Sequence, residues 1–310
     1  MKKILVITGG TSSERKISLI SAENVKKGLE EVGYQQAVSS AYKVKLFDLK
    51  KGFSELKKIS QDFDLIFPVI HGKEGEDGTL YTFLKKLNKP FVGCGPKSTE
   101  IAFDKILFNQ FCDQNEIPKP EWKVVKNTLD IKKFGFPCVL KAARGGSSKE
   151  VVILLSEKDL KNPLVKKIFS LDDYFLVERY VKGIEITVGV FSNQALPVIE
   201  IIPPDKGWFD YKNKYSGESK EIVGAPSLDE KTKNRAQQIA LKLHQTLSLN
   251  PYSRTDMIVL NNTPFVLEVN PPCGVGMTSQ SLMPKAAQAF GLEFPQLLDK
   301  IIKSALKITP

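Results

Sequence analysis

The sequence predicts an α/β protein, with a parallel sheet in the first third of the chain and an α+β arrangement after it. In the first third, short apolar runs at 4–7, 44–49 and 65–70 alternate with helical periodicity, most clearly at 22–31. Strands that alternate with helices are typical of parallel βαβ units. After residue 118 the predicted strands are shorter and closely spaced, which favours antiparallel pairing.

Glycines follow two of the first predicted strands. Gly9 and Gly10 end the run at 4–7, and His71-Gly72 ends the run at 65–70. In a parallel sheet, ligands bind in the crevice beyond the carboxyl ends of the strands. We therefore expect both turns to border a ligand site.

The central part is predicted to contain two helices and four strands. Pro96 opens the first helix. The second helix and the four strands follow at 104–115, 122–125, 137–142, 151–155 and 174–179.

The last third begins with a pair of strands within 185–200 and a long segment without periodicity at 203–226. Such a length without regular structure is uncommon in a compact domain, so the segment is either a lid over a site or a surface insertion. Ser227 and Glu230 have the spacing of a capping box and predict the start of an amphipathic helix. His244 lies beside the apolar face of that helix, which favours a structural or a surface position.

A hairpin is predicted at 253–260 and 264–270, around the turn Asn261-Asn262, and two helices follow it. These elements predict three domains. They are an N-terminal Rossmann-like domain at 1–95, a central domain at 96–184 and a C-terminal domain at 185–310 that contains the segment 203–226.

The chain has 310 residues, of which 42% are apolar and 26% are charged. These fractions exclude a disordered, a collagen-like and a disulfide-scaffold protein. The lysines behind the net charge of +10 are scattered along the chain, some in pairs such as Lys57-Lys58 and without a basic block, which favours solvated surface. Because no motif interleaves basic and aromatic residues, we expect no nucleic acid among the partners.

The four cysteines are widely separated without a CxxC motif, and the chain has two histidines. This pattern argues against a zinc site and for a reducing compartment. No run approaches the ~18 apolar residues of a membrane span. The opening MKKILVITGG contains an apolar run too short for a signal peptide and is better explained as a strand. We expect a cytoplasmic protein without membrane association.

The turn Arg144-Gly145-Gly146-Ser147-Ser148 follows a predicted strand that contains Lys141. A turn rich in glycine and serine presents several backbone N–H groups to a phosphate, and Lys141 adds a positive charge. The residue order differs from that of a P-loop. The turn therefore predicts either a phosphate-binding loop or an ordinary hairpin turn.

The predicted hairpin carries four polar side chains at a spacing of two. Arg254 and Asp256 lie on one face of its first strand, and Glu268 and Asn270 lie on one face of its second strand. Across the turn, Asp256 can face both Glu268 and Asn270. Their side chains together offer the hard oxygen ligands that Mg²⁺ prefers when phosphates supply its remaining ligands. The alternative is an exposed polar face. With the glycine-rich turn and the lysines, the hairpin points to ATP.

Eight stretches of the chain match the motifs of one family in the family's order. They are GGTSSERKIS (9–18), HGKEGEDGTL (71–80), DKILF (104–108), RGGSS (144–148), VERYVKGIE (177–185), FDYKNKY (209–215), RTDM (254–257) and EVNPPCGVGMTSQSLMPKAA (268–287). The chain thereby resembles the D-alanine–D-alanine ligase family of the ATP-grasp superfamily over nearly its whole length. Any single stretch is weak evidence, whereas eight in order are specific. The resemblance implies an ATP-grasp fold that follows the Rossmann-like domain.

The resemblance also implies that ATP lies between the central and C-terminal domains. The residues implied to bind ATP are Lys105, Lys141 and Ser148 at the phosphates, Glu178, Arg179, Tyr180 and Val181 at the adenine, Glu185 at the ribose and Lys214 at the γ-phosphate. The implied magnesium ligands are Asp256, Glu268 and Asn270, and Mn²⁺ can take the place of Mg²⁺.

The catalytic and substrate-binding residues are implied in the same way. Glu14, Ser147 and Tyr215 match a hydrogen-bonded trio in which Glu14 also meets the ammonium of the first D-alanine. Arg254 and the N–H of Gly276 match the groups that stabilise an oxyanion. Ser281 and Leu282 match the pocket for the carboxylate of the second substrate, and His71 matches the substrate site.

The implied reaction is an ATP-dependent ligation of two D-alanines through a D-alanyl phosphate. Its product, D-alanyl-D-alanine, is used for peptidoglycan precursor synthesis. The resemblance also implies a homodimer. The chain departs from the family pattern at Lys149-Glu150, where a glycine is lost, and after Asn270, where a link is two residues longer. Because that link positions Gly276 and Ser281, the alternative is a ligase for D-lactate, D-serine or another second substrate. A nucleotide-binding module without turnover is disfavoured, since the lysines and metal ligands are all present.

Overall fold

The computed structural model describes residues 1–35, 42–145, 150–171, 174–204 and 219–307. Within these ranges the chain forms three sheets. One sheet lies in each of the three parts of the chain that the sequence distinguishes.

The first sheet is parallel and has the strand order β2-β1-β3. Its strands are β1 (Lys3–Thr8), β2 (Lys43–Asp48) and β3 (Leu65–Pro68). Ile4 of β1 is in register with Val44 of β2 and Leu65 of β3. β1 and β3 are buried over nearly their whole length, as expected for a parallel sheet covered on both faces. The parallel sheet predicted from the sequence is confirmed.

Helices connect and flank these strands. They are α1 (Arg15–Gln35), α2 (Phe53–Ser60) and α3 (Thr79–Lys85). α1 is longer than the predicted helix at 22–31, because the carbonyl of Glu14 already accepts the N–H groups of Ile17 and Ser18. Glu14 therefore lies at the end of the turn that joins the carboxyl end of β1 to α1.

The second sheet is antiparallel, with the strand order β4-β7-β5-β6. Its strands are β4 (Trp122–Val125), β5 (Cys138–Ala142), β6 (Val151–Leu154) and β7 (Phe175–Arg179). The helices of this part are α4 (Pro96–Phe103), α5 (Lys105–Gln114), α6 (Thr128–Phe134) and α7 (Pro163–Ile168). Asp104 separates α4 from α5, since its side chain accepts the N–H groups of Ile106 and Leu107 at 3.0 and 3.1 Å and so caps α5. The antiparallel pairing predicted for this part is confirmed.

The third sheet has the order β11-β10-β8-β12-β13, and β9 pairs with β8. Its strands are β8 (Ile184–Phe191), β9 (Gln194–Ala195), β10 (Ile199–Ile202), β11 (Lys220–Val223), β12 (Tyr252–Leu260) and β13 (Thr263–Asn270). β12 and β13 form the predicted hairpin. Arg254 is in register with Asn270, and Asp256 with Glu268, before a bulge that follows Asp256.

The helix after this sheet's edge strand begins later than its sequence predicts. α8 (Glu230–Thr246) is capped by Asp229, whose Oδ1 accepts a backbone N–H of the first turn at 2.7 Å. The hydroxyl of Ser227 instead donates to Oε1 of Glu200 at 2.7 Å. The predicted capping box of Ser227 and Glu230 was therefore wrong, because a buried carboxylate takes the serine that would have capped the helix.

The predicted lid segment 203–226 is only partly described. Residues 205–218, with Lys214 and Tyr215, lie outside the described residues. Lys220–Val223 form the edge strand β11, which pairs with β10. Of the described part of the predicted segment, four residues therefore form a strand that the sequence does not predict.

The chain ends with α9 (Leu282–Ala289) and α10 (Phe294–Lys307). Leu298 of α10 shares one hydrophobic core with Val25 of α1. A Cβ on Gly28 would lie 2.7 Å from Cδ1 of Leu298, so the glycine allows the two helices to approach closely. Residues 294–307 therefore pack against the first part of the chain, although the predicted boundary at 185 groups them with the third.

None of the helices in the described ranges combines the length and low polarity that crossing a bilayer requires. Cys94, Cys112, Cys138 and Cys273 are all buried and free.

Candidate active site

A cavity of about 470 Å³ is lined by residues from all three parts of the chain. Its walls come from connecting turns, from the strands β11, β12 and β13, and from the helices α1, α4, α5 and α9. The charged and polar residues that line it include Glu14, His71, Glu76, Lys105, Glu221, Arg254, Glu268, Asn270, Ser281 and Lys285. The turns after β1 and β3 thus border a common site, as their glycines predict.

Asp256 lies on β12, two residues from the cavity residue Arg254, and accepts several hydrogen bonds. Arg254 donates to both of its oxygens, at 3.0 Å from Nε and 2.8 Å from Nη2. The hydroxyl of Thr187 donates to Oδ1 at 2.6 Å, and Nδ2 of Asn270 donates to Oδ2 at 3.1 Å. The carboxylate is buried and fixed in position by these bonds.

The oxygen donors of the hairpin fit a magnesium ion in chemical type. Like charges directly opposite each other on paired strands destabilise a sheet, and Asp256 faces Glu268 in this way. Asn270 donates through Nδ2 and so presents its amide oxygen as a ligand. The described residues contain no group of three His, Cys, Asp or Glu placed to hold a metal. Asp256 and Glu268 would therefore need the amide oxygen of Asn270 and phosphate oxygens to complete the coordination of a metal, as is usual for Mg²⁺.

Glu76 and His71 form the wall of the cavity beside the first sheet. Oε1 of Glu76 accepts the N–H of Gly72 at 2.7 Å and lies 3.9 Å from Nδ1 of His71. Burial, with the nearby carboxylates of Glu14 and Glu268, raises the pKa of Glu76 to about 8.

Burial, together with the positive charge of Arg254, lowers the pKa of His71 to about 4. The imidazole is therefore neutral at pH 7. Its Nε2 is buried without a hydrogen-bond partner among the described residues. A buried polar nitrogen of this kind is suited to bind a polar ligand.

Lys105 lies at the first turn of α5, where the cap at Asp104 fixes the helix start. Its Nζ donates to the carbonyl of Gly145 at 2.6 Å, and burial lowers its pKa. Arg144 donates from Nε to Oδ2 of Asp104 at 2.8 Å. α5 therefore anchors the start of the glycine-rich turn beside the cavity. Ser147 and Ser148 of that turn lie outside the described residues.

Two residues predicted to bind the nucleotide contact each other. Nζ of Lys141, on β5, lies 2.5 Å from Oε2 of Glu178, on β7. Asn109 donates to the other oxygen of Glu178 at 3.3 Å. Both charged groups are almost completely buried, and neither lines the described cavity.

The other residues predicted at the adenine and ribose lie between the last residue of β7 and the start of β8. Arg179 pairs with Glu121 at 3.1 Å, and the N–H of Tyr180 donates to the carbonyl of Pro137 at 3.2 Å. Val181 follows in the link, and Glu185 lies near the start of β8. The structure places them along one connection between two sheets.

Ser281 and its neighbours also line the cavity. Ser281 is the N-cap residue of α9, and its Oγ accepts the N–H of Thr278 at 3.1 Å. A Cβ on Gly276 would lie 3.0 Å from that Oγ, which favours glycine there. Leu282 opens the helix. Lys285 lies one turn later, and its Nζ is 2.8 Å from Oε2 of Glu221 on β11.

The structure brings together most of the residues predicted to act in catalysis. Those that line the cavity are Glu14, His71, Lys105, Arg254, Glu268, Asn270, Gly276, Ser281 and Leu282. Glu76, Glu221 and Lys285 line it too but were not identified as site residues from the sequence. Glu76 and Lys285 lie inside matched motifs, which was the available signal, whereas no motif contains Glu221.

The second sheet carries a buried lysine and leads into the glycine-rich turn, and the third carries the hairpin with its paired carboxylates. Two such sheets beside a polar cavity define an ATP-grasp fold. The parallel sheet that precedes them completes the architecture predicted from the sequence.

Comparison with known proteins narrows this class to a family. Residues 45–94 match the family described as D-ala D-ala ligase N-terminus, and residues 108–303 match that described as D-ala D-ala ligase C-terminus. The chain therefore belongs to the D-alanine–D-alanine ligase family.

Individual relatives cover almost the full length of the chain. The D-alanine–D-alanine ligase of Syntrophobacter fumaroxidans is 38% identical over an alignment that covers 98% of this chain and 97% of that protein. The D-alanine–D-alanine ligase of Clostridium beijerinckii is 36% identical over an alignment that covers 99% of each chain. The crystal structure of the Bacillus anthracis ligase complexed with ATP superposes with a TM-score of 0.84 at 30% identity, over 100% of this chain and 99% of the other.

Proposed function

We propose that this protein is a D-alanine–D-alanine ligase that uses ATP to join two D-alanines for peptidoglycan precursor synthesis. Family membership over nearly the full chain supports the activity. The observation that carries it is the cavity itself, in which Lys105, Arg254 and Glu268 meet the N-cap residue Ser281. Such a site can hold two anionic reactants side by side.

In the first step a carboxylate oxygen of the first D-alanine attacks the γ-phosphorus of ATP, and ADP leaves. Two anions must approach each other, so cationic side chains are required. Lys105 and Lys141 hold the phosphates, and Glu14 binds the ammonium of the amino acid. Asp256, Glu268 and Asn270 would hold Mg²⁺, which would supply neutralising charge at the phosphates.

In the second step the amine of the second D-alanine attacks the carbonyl of the acyl phosphate, and phosphate leaves after the tetrahedral intermediate forms. Arg254 and the N–H of Gly276 stabilise the oxyanion, a contribution of about 3–4 kcal/mol per donor in enzymes of this kind. Arg254 is oriented for this task by its two bonds to Asp256. Neutral His71 lies in the same cavity and offers a ring nitrogen to the substrate.

The same proposal includes features that rest on the family resemblance. They are nucleotide contacts from Ser148, Lys214, Glu178 to Val181 and Glu185, a trio of Glu14, Ser147 and Tyr215, use of Mn²⁺ in place of Mg²⁺, a homodimer, a cytoplasmic location and the three-domain division at 95 and 184.

The experiment that tests the function is phosphate release from ATP with a single amino acid or hydroxy acid added. D-alanine alone should support release and yield D-alanyl-D-alanine, whereas L-alanine should not. D-lactate or D-serine, added with D-alanine, tests the alternative that the longer link after Asn270 selects another second substrate. Absence of release with D-alanine at millimolar concentration would refute the proposed activity.

A further inference from the structure

The cavity has an uneven distribution of positive charge. Of its described lining residues, three carry a cation: Lys105, Arg254 and Lys285. Lys105 is directed to the carbonyl of Gly145, at the glycine-rich turn. Arg254 is held by Asp256 in the hairpin. Lys285 is the cation that shares an end of the cavity with Ser281.

The position of Lys285 follows from the helix that carries it. The N–H of Lys285 donates to the carbonyl of Ser281 at 3.0 Å, so the two residues are one turn apart on α9. Side chains four residues apart lie on the same face, and helical side chains lean toward the N-terminus. The lysine stem therefore extends back over the serine and the first turn of the helix.

The ammonium of Lys285 is held from the opposite wall. Oε2 of Glu221 lies 2.8 Å from Nζ, and the lysine side chain keeps 31% of its surface exposed. An ammonium has three N–H donors, and one bond to Glu221 leaves donors for a second acceptor. A carboxylate that enters a cavity lined by the carboxylates of Glu14 and Glu268 also needs a cation to offset their negative charge.

We propose that Lys285 binds the carboxylate of the second amino-acid substrate, together with Ser281, and that Glu221 positions the lysine. The inference rests on the proposed ligase activity and extends it by a residue that selects for a carboxylate. It holds equally for D-alanine, D-lactate and D-serine, because all three carry the same group.

The test is a competition between two acceptors. Wild type is given ATP and an equimolar mixture of D-alanine and D-alaninamide, and the ratio of D-alanyl-D-alanine to D-alanyl-D-alaninamide is measured by mass spectrometry. Both products share the first step, so the ratio reports only the choice of acceptor. Comparison of variants at one pH cancels the different basicity of the two amines.

Wild type should favour the free carboxylate, and Lys285→Met should lower the product ratio about tenfold or more, as expected for loss of a charge-assisted hydrogen bond. Lys285→Arg keeps a cation and should retain most of the preference. Glu221→Gln should shift the ratio in the same direction, by about threefold. Lys303→Met removes an exposed lysine that pairs with Asp299 on α10 and should leave the ratio unchanged.

The outcomes separate the inference from the function on which it rests. If Lys285→Met lowers both products equally and leaves the ratio at the wild-type value, Lys285 has only a structural role and the inference is overturned. Should that variant not fold, Lys285→Gln gives the same readout, and an unchanged ratio there has the same meaning. If wild type makes neither product, the proposed activity itself is wrong.

Discussion

Nζ of Lys141 and Oε2 of Glu178 lie 2.5 Å apart on neighbouring strands of the second sheet. Val139 is in register with Glu178, so the two charged side chains are diagonal neighbours on one face. The side-chain exposures of Lys141 and Glu178 are 11% and 4%. This pair fixes a lysine predicted to bind phosphate before any ligand is present.

Loss of one partner of the buried pair Lys141–Glu178 should lower the free energy of unfolding more than loss of one partner of an exposed pair. Glu178→Gln leaves the ammonium of Lys141 buried without its counter-charge, and we expect the free energy of unfolding to fall by about 3 kcal/mol. Lys141→Met combined with Glu178→Leu should cost less than Glu178→Gln alone, because both charges are removed together. Urea unfolding followed by circular dichroism measures each variant.

The matched control is the exposed pair of Lys132 and Glu157. Glu157→Gln should change the free energy of unfolding by less than about 1 kcal/mol, as is usual for surface pairs. Equal losses in Glu178→Gln and Glu157→Gln would contradict the importance assigned to the buried pair.

Removal of a carboxylate from the hairpin should affect magnesium dependence and turnover together. Glu268→Gln keeps the size of the side chain and removes its charge, so we expect ligation to fall at least about 100-fold and the magnesium concentration for half-maximal rate to rise. Initial rates over a magnesium titration give both quantities. Glu230→Gln, on the exposed start of α8, serves as a control and should match wild type. Full activity in Glu268→Gln would refute the metal assignment.

His244 should make the protein less stable at acidic pH. The ring is completely buried, its Nδ1 lies 2.9 Å from Oγ of Ser253, and burial lowers its pKa to about 4. The unfolded chain, with a histidine pKa near 6.5, binds more protons between pH 6.5 and 4, so stability from neutral His244 is complete above 6.5 and is lost as the pH falls toward 4. The total loss is on the order of 3 kcal/mol.

The difference in free energy of unfolding between wild type and a His244 variant separates this effect from the titration of other groups. One such group is Glu76, whose raised pKa of about 8 changes stability with pH in the opposite direction. His244→Gln cannot be protonated, so its free energy of unfolding relative to wild type should improve steadily from pH 6.5 to pH 4. Denaturant unfolding at several pH values measures the difference. A difference that is independent of pH would show that His244 is not kept neutral by the fold.

Replacement of Gly183, in the link between the second and third sheets, should destabilise the protein. A Cβ at this position would lie 2.2 Å from the carbonyl oxygen of Val259, a backbone atom of β12. Gly183→Ala must push β8 away from β12 and should lower the free energy of unfolding by about 1–3 kcal/mol. Gly95→Ala meets nothing closer than 3.8 Å and should be nearly neutral. Thermal unfolding of both variants distinguishes a steric cause from loss of a glycine as such.

The sequence alone determined the order of the elements and the hairpin, because periodicity and turn residues act over a few neighbouring positions. The pairing of Asp256 with Glu268 followed from a spacing of two and a short turn, and the register confirms it. Family motifs supplied the nature of the reaction, since they mark residues that chemistry constrains.

Only the tertiary structure decided where charges and caps are satisfied. Ser227 has a capping-box spacing, yet a buried glutamate from another strand takes its hydroxyl. His244 is buried rather than exposed, and Lys285 meets Glu221 from 64 residues away. These contacts join segments that are distant in the chain, so no local pattern can encode them. They depend on how sheets and helices pack, which is set by the sum of many apolar contacts.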